Sequence, residues 1–159
     1  MNNMHSEITA HLSKDEKYKL ALQQVKALVE DEKNLIANMA NMSAILQHSF
    51  QFWWTGFYLV DGTSLVLGPF QGPVACTRIN KDRGVCGKAW RDEKTLIVPN
   101  VHEFDDHIAC SAETNSEIVV PIFTKGTMIG VLDIDSKNFK TFDEVDANYL
   151  EQLTKLLVE

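Results

Sequence analysis

Basic residues are in short supply: the chain has 15 Lys and Arg against 22 Asp and Glu, a formal net charge of −7. The acids are spread along its length, so it offers no clustered Lys/Arg surface of the kind that binds nucleic acid or an anionic membrane. Long apolar runs are missing as well. Met1 to Lys14 holds no run of signal-peptide length and nothing later approaches a membrane span, which predicts a cytoplasmic protein. Cysteine is limited to Cys76, Cys86 and Cys110. Three thiols in that compartment are not a disulfide framework; they are inert core thiols, metal ligands or redox-active groups. There is no internal repeat and no low-complexity segment.

What remains is globular composition: 159 residues, 45% apolar and 23% charged. That is one domain, able to bury a core without metal or disulfide staples. Residues 1–12 read as a flexible tail and residues 13–159 as the single domain. Ser13-Lys14-Asp15-Glu16 fits a capping box, followed by Leu22, Val25, Leu28 and Val29 at helical spacing. The knot Glu30-Asp31-Glu32-Lys33 restarts a helix with Leu35, Ile36, Met39, Met42, Ile45 and Leu46 on one face. The two should form a hairpin, and their apolar stripes need a sheet or a second copy of the chain, so a homodimer is one expectation.

Periodicity changes at Phe52. A strand from Trp54 to Val60 meets a second, from Leu65, across the hairpin signal Asp61-Gly62. A third strand is expected over Val74–Ile79, carrying Cys76, then a short helix over Gly84–Arg91 carrying Cys86, and a short strand over Thr95–Val98. After a long polar loop, Val101–Ser116, Glu117–Phe123 and Met128–Ser136 form a hairpin across Lys125-Gly126. Thr141 and Glu144 fit a capping box opening a last helix. The order predicts an α+β fold, with a central antiparallel sheet of about six strands flanked by an N-terminal helical hairpin and a C-terminal helix.

The chemistry concentrates in and beside the loop. Cys110 lies in a polar stretch three residues after His107, and an imidazolium nearby favours the reactive thiolate. Asp133 and Asp135 share one face of their strand, and Glu117 begins the neighbouring strand, so three carboxylates can converge. A solvated sheet face is the alternative, but Val131, Leu132 and Ile134 mark the strand as buried, and buried acids need a partner such as a ligand ammonium. Trp54 and Tyr58 also share a face and can wall a pocket, though such aromatics are commonly core. His107 and Cys110 with Cys76 and Cys86 could ligate zinc, but they lack paired Cys-x-x-Cys spacing. Cys76 and Cys86 are both candidates for a second thiol able to meet Cys110.

The segments Trp54-Thr55-Gly56-Phe57-Tyr58-Leu59, Gly68-Pro69-Phe70-Gln71-Gly72, Gly84-Val85-Cys86-Gly87, Val98-Pro99-Asn100-Val101, His107-Ile108-Ala109-Cys110, Glu117-Ile118-Val119-Val120-Pro121 and Gly130-Val131-Leu132-Asp133-Ile134-Asp135-Ser136 together resemble the free methionine-(R)-sulfoxide reductases, single-domain enzymes of the GAF fold. The resemblance spans nearly the whole chain, and the cysteine trio sets it apart from generic ligand-binding GAF domains. It implies that Cys110 attacks the sulfoxide sulfur, that Cys76 is the resolving cysteine with Cys86 a second or relay thiol, and that Glu117, Asp133 and Asp135 bind the substrate ammonium and supply the proton. Trp54 and Tyr58 would enclose the sulfur end. It also implies free L-methionine-(R)-sulfoxide as substrate, thioredoxin with NADPH as the external reductant, and no metal or organic cofactor. Two rivals stay open: a non-catalytic GAF small-molecule-binding module and a cysteine-based redox or zinc sensor.

Overall fold

The structure, a computed structural model, describes residues 11–105 and 111–158. The expectations placed on His107 and Cys110 fall outside the described residues, as does most of the expected tail. Helix α1 (Lys14–Asp31) starts at the Ser13–Glu16 capping box: the Ser13 hydroxyl accepts from Glu16 N, and the Glu16 carboxylate accepts from Ser13 N at 2.8 Å. Helix α2 (Leu35–Phe50) begins at Asn34, whose side chain accepts from Ala37 N. Strands β1 (Trp54–Asp61), β2 (Ser64–Gln71) and β3 (Arg78–Asn80) precede helix α3 (Gly84–Asp92). Strand β4 (Leu96–Val98), a 3₁₀ turn at Val101–Glu103, strands β5 (Ser116–Thr124) and β6 (Thr127–Ser136) and helix α4 (Glu144–Leu156) complete the chain.

The six strands form one antiparallel sheet in the order β3-β2-β1-β6-β5-β4. Its two faces divide the core. Phe57, Ile118, Val120, Ile122, Leu132 and Ile134 face α1, α2 and α4, and meet Tyr18, Met39, Met42, Leu46, Leu150 and Leu153. The alternate residues, including Val119 and Val131, face α3 with Trp54, Tyr58, Val85, Ala89 and Trp90. Each fully buried Leu, Ile or Phe stabilises the fold by about 1.5–3 kcal/mol, so the helical face carries most of the stability and leaves the α3 face free to hold polar groups. Among the described residues, no helix is long and apolar enough to cross a membrane.

Two local readings are corrected. The third strand is shorter and later than Val74–Ile79: only Arg78–Asn80 pairs, opposite Ser64–Val66. The carbonyls of Pro73 and Cys76 instead accept side-chain hydrogen bonds from Trp54 Nε1 (3.1 Å) and the Tyr58 hydroxyl (2.9 Å), which hold the segment over the sheet rather than in its ladder. The last capping box is Asp143/Asp146, not Thr141/Glu144. Asp143 accepts from Val145 N and Asp146 N, while Thr141 donates to the Ser136 hydroxyl at 2.7 Å. A carboxylate satisfies the orphan amides of a first turn and suits the positive end of the helix, so the later start wins.

Candidate active site

The acid cluster follows from sheet register. In antiparallel pairs, residues directly opposite one another lie on the same face. Glu117 pairs with Asp135, Trp54 with Asp135, and Gly56 with Asp133, so the acids, Trp54 and Tyr58 all emerge on the α3 side. Gly56 is required there: a Cβ would stand 2.6 Å from Trp54 Cη2 and 2.4 Å from Phe70 Cβ. The indole lies across this gap, stacked on Phe70 and Tyr58 with centroids 5.4 and 5.9 Å away.

The pocket so formed is a narrow cleft that opens to solvent. Trp54 and Tyr58 form one wall, and Pro73, Val74 and Ala75 arch over it. Arg83, Gly84, Val85 and Cys86 enter from the start of α3, and Glu117, Asp133 and Asp135 form the floor. Val74 is 90% exposed, which places an apolar side chain at the rim. Ser111 and Thr114 reach in from the far side of the loop. Trp53 Nε1 donates to the Ser111 hydroxyl at 3.1 Å, tying down the residue next in sequence to Cys110.

Glu117 and Asp133 are buried, and among the described residues neither they nor Asp135 form an ion pair. Asp133 Oδ1 is buried without any hydrogen-bond partner. Burial drives all three carboxyls up. Glu117 and Asp135 stand well above the usual carboxylate range, each raised further by the charge of its neighbours. Asp133 rises only to about 6, because hydrogen bonds from Cys86 and Glu117 favour its ionised form and oppose burial. The floor therefore holds three carboxyls whose burial favours the protonated form, with Asp133 the one whose neighbours oppose that rise.

Cys86 is a free, buried thiol in the first turn of α3. Its Sγ and one oxygen each from Glu117 and Asp133 lie within 4.8 Å of one another. A helix N-terminus ordinarily lowers a thiol's pKa, but burial and the acids beneath push this one well above its usual value. Three such groups can share protons or, on losing them, hold a metal ion. Cys76 is disulfide-bonded.

The structure thus brings together Trp54, Tyr58, Cys86, Glu117, Asp133 and Asp135 of the residues singled out from sequence, and sets Cys76 beside them through its carbonyl on Tyr58. Sequence reasoning missed Thr114, which hydrogen-bonds Asp135, along with the arch at Pro73–Ala75 and Arg83 at the rim. The Gln71-Gly72-Pro73 turn carried the only signal for the arch. Gly72 has φ +130°, and a Cβ there would come within 2.9 Å of Trp53 O.

The sequence pattern of the GAF domain matches residues 40–158. GAF domain-containing protein A of Dictyostelium discoideum is 57% identical over 146 residues, covering 91% of this chain and 92% of that protein. The free methionine-R-sulfoxide reductase of Escherichia coli is 45% identical over 147 residues, covering 92% and 89%. The crystal structure of free methionine-R-sulfoxide reductase from Neisseria meningitidis in complex with its substrate superposes with a TM-score of 0.90 at 51% identity, covering 92% of this chain and 89% of that one. The chain belongs to the free methionine-R-sulfoxide reductases, a family of GAF-domain oxidoreductases.

Proposed function

We propose that the protein reduces free L-methionine-(R)-sulfoxide to L-methionine. The observation that carries this reading is the floor of the pocket: three carboxyls on one apolar-walled cavity, with no ion pair among the described residues and with burial pushing each towards its protonated form. A sulfoxide oxygen leaves only when protonated, so a carboxylic acid kept neutral near pH 7 is the group the reaction needs. The ionised Asp133, with its unpartnered Oδ1, suits the substrate ammonium. Trp54 and Tyr58 suit the apolar end around the sulfur.

Cys110 is the attacking thiol in this reading. Its thiolate adds to the sulfoxide sulfur, the protonated oxygen is transferred to Cys110 as a sulfenic acid, and methionine departs with the sulfur reduced by two electrons. The Cys76 thiol then attacks the sulfenic sulfur, water leaves, and a Cys76–Cys110 disulfide forms. A thioredoxin-type dithiol returns both thiols. That Cys76 is disulfide-bonded while Cys86 is free supports Cys76 as the resolving cysteine. The apolar groove between α1 and α2, lined by Leu20, Ala27, Leu28, Ala44 and Ile45, supports docking of a second copy.

A thioredoxin-coupled NADPH assay on separated R and S sulfoxides, free and peptide-bound, tests the reading. Turnover is expected with the free R form alone and is abolished in Cys110→Ser. Full activity in that variant, or equal turnover of a peptide-bound sulfoxide, would overturn it.

A further inference from the structure

Cys86 occupies an unusual place for a thiol that exchanges with others. It is 3% exposed, packed under α3 with Val85, Ala89 and Trp90, and it remains free while Cys76 is disulfide-bonded. What it touches is the acid cluster: its sulfur lies within 4.8 Å of oxygens of both Asp133 and Glu117, and it hydrogen-bonds Asp133. Gly87, the next residue, packs so closely on the Asn80–Asp82 turn that a Cβ would stand 2.7 Å from Asn80 O. The first turn of α3 is therefore held against the sheet, and the thiol cannot swing towards another cysteine without lifting it.

We propose that Cys86 is a positioning residue, a buried hydrogen-bond donor that holds the Asp133 carboxylate in place, and that it takes no part in thiol–disulfide exchange. Two donors, the Cys86 S–H and the Glu117 carboxyl, converge on Asp133 and leave its Oδ1 unpartnered for the ligand. The groups facing Asp133 are Glu117 on β5, Asp135 on β6, Tyr58 on β1 and Cys86 on α3, with Arg83 at the rim of the same pocket. Of these, Cys86 and Glu117 are the two that donate to Asp133. Removing the thiol raises the proton affinity of Asp133, so the acidic limb of any activity that needs Asp133 ionised moves to higher pH.

The proposal rests on the reductase reading for its activity arm, but a second arm does not. Cys86→Ser keeps a hydroxyl donor, whereas Cys86→Ala keeps none and is small enough to fold. In the coupled assay, Cys86→Ala should lose roughly 10- to 100-fold in kcat/KM, the worth of one hydrogen bond to a charged group, and its acidic limb should rise by about one pH unit. Cys86→Ser should restore both, and mass spectrometry should find the Cys76 disulfide formed and reduced by thioredoxin in each variant. If Cys86→Ser and Cys86→Ala both stop after one turnover, Cys86 is an exchanging thiol and the proposal is wrong. Independently of activity, the ¹³C shift of the Asp133 carboxyl should titrate at higher pH in Cys86→Ala than in wild type, with Cys86→Ser close to wild type. An unchanged titration in Cys86→Ala would overturn the proposal even in an active enzyme. A shifted titration in a protein that reduces no sulfoxide would overturn the reductase reading alone.

Discussion

Asp133→Asn should make the protein more stable at neutral and alkaline pH while removing its activity. Folding carries the Asp133 pKa from its ordinary 3.8 to about 6, because burial opposes the charge more strongly than Cys86 and Glu117 support it. An acid whose folded pKa exceeds its unfolded value binds its proton more tightly when folded, so stability is lost as pH rises between the two values and the loss is complete above the higher one. A rise of about two units corresponds to about 3 kcal/mol of destabilisation above about pH 7. Asparagine has the same shape, can accept from Cys86 and Glu117, and carries no charge to desolvate. Against wild type in the same redox state, it should therefore gain up to about 3 kcal/mol at about pH 8 and little at about pH 4. For a domain of this size that gain is roughly 6–12 °C in Tm. Thermal and urea melts at both pH values measure it, and kcat/KM should fall about 100-fold in parallel as the carboxylate is lost. A variant that is no more stable than wild type at about pH 8, or equally stabilised at both pH values, would refute the reasoning that the acids are held against their own desolvation.

Gly56→Ala forces a methyl into the Trp54 and Phe70 side chains and should cost about 1–3 kcal/mol while raising KM more than it lowers kcat, seen in melts and steady-state kinetics. Asp146, 1% exposed, accepts from Lys14 Nζ at 2.6 Å and from the Tyr18 hydroxyl at 2.7 Å, tying α4 to α1. Asp146→Ala removes the acceptor of the buried Tyr18 hydroxyl while Lys14 keeps Asp143, and should lower stability by roughly 1–3 kcal/mol, read as a urea midpoint, with kcat unchanged in the folded fraction.

The helices and the acid face were legible because they depend on short-range rules. Ser13 and Glu16 cap α1 as their spacing requires, and alternation alone puts Asp133 and Asp135 on one side of β6 and Ile134 on the other. Less legible was anything that traded a local preference for a distant partner. Val74 to Cys76 has strand-like residues but stays out of the ladder, with the carbonyls of Pro73 and Cys76 taken by Trp54 and Tyr58. Thr141 yields the helix start to Asp143 and spends its hydroxyl on Ser136.

By itself, then, the sequence determined the α+β order, the family and the presence of a face carrying Asp133 and Asp135, because side-chain period and residue type act within a few positions of each other. Only the tertiary structure decided what those acids are. Pairing of Glu117 with Asp135, closure by α3 and the packing of Cys86 beneath it remove the carboxyls from water. That desolvation, with their mutual repulsion, raises the proton affinity of all three carboxyls, and the groups donating to Asp133 hold its rise to about 6. A pKa depends on everything within a few ångströms of a group, and no spacing along the chain records which residues those will be.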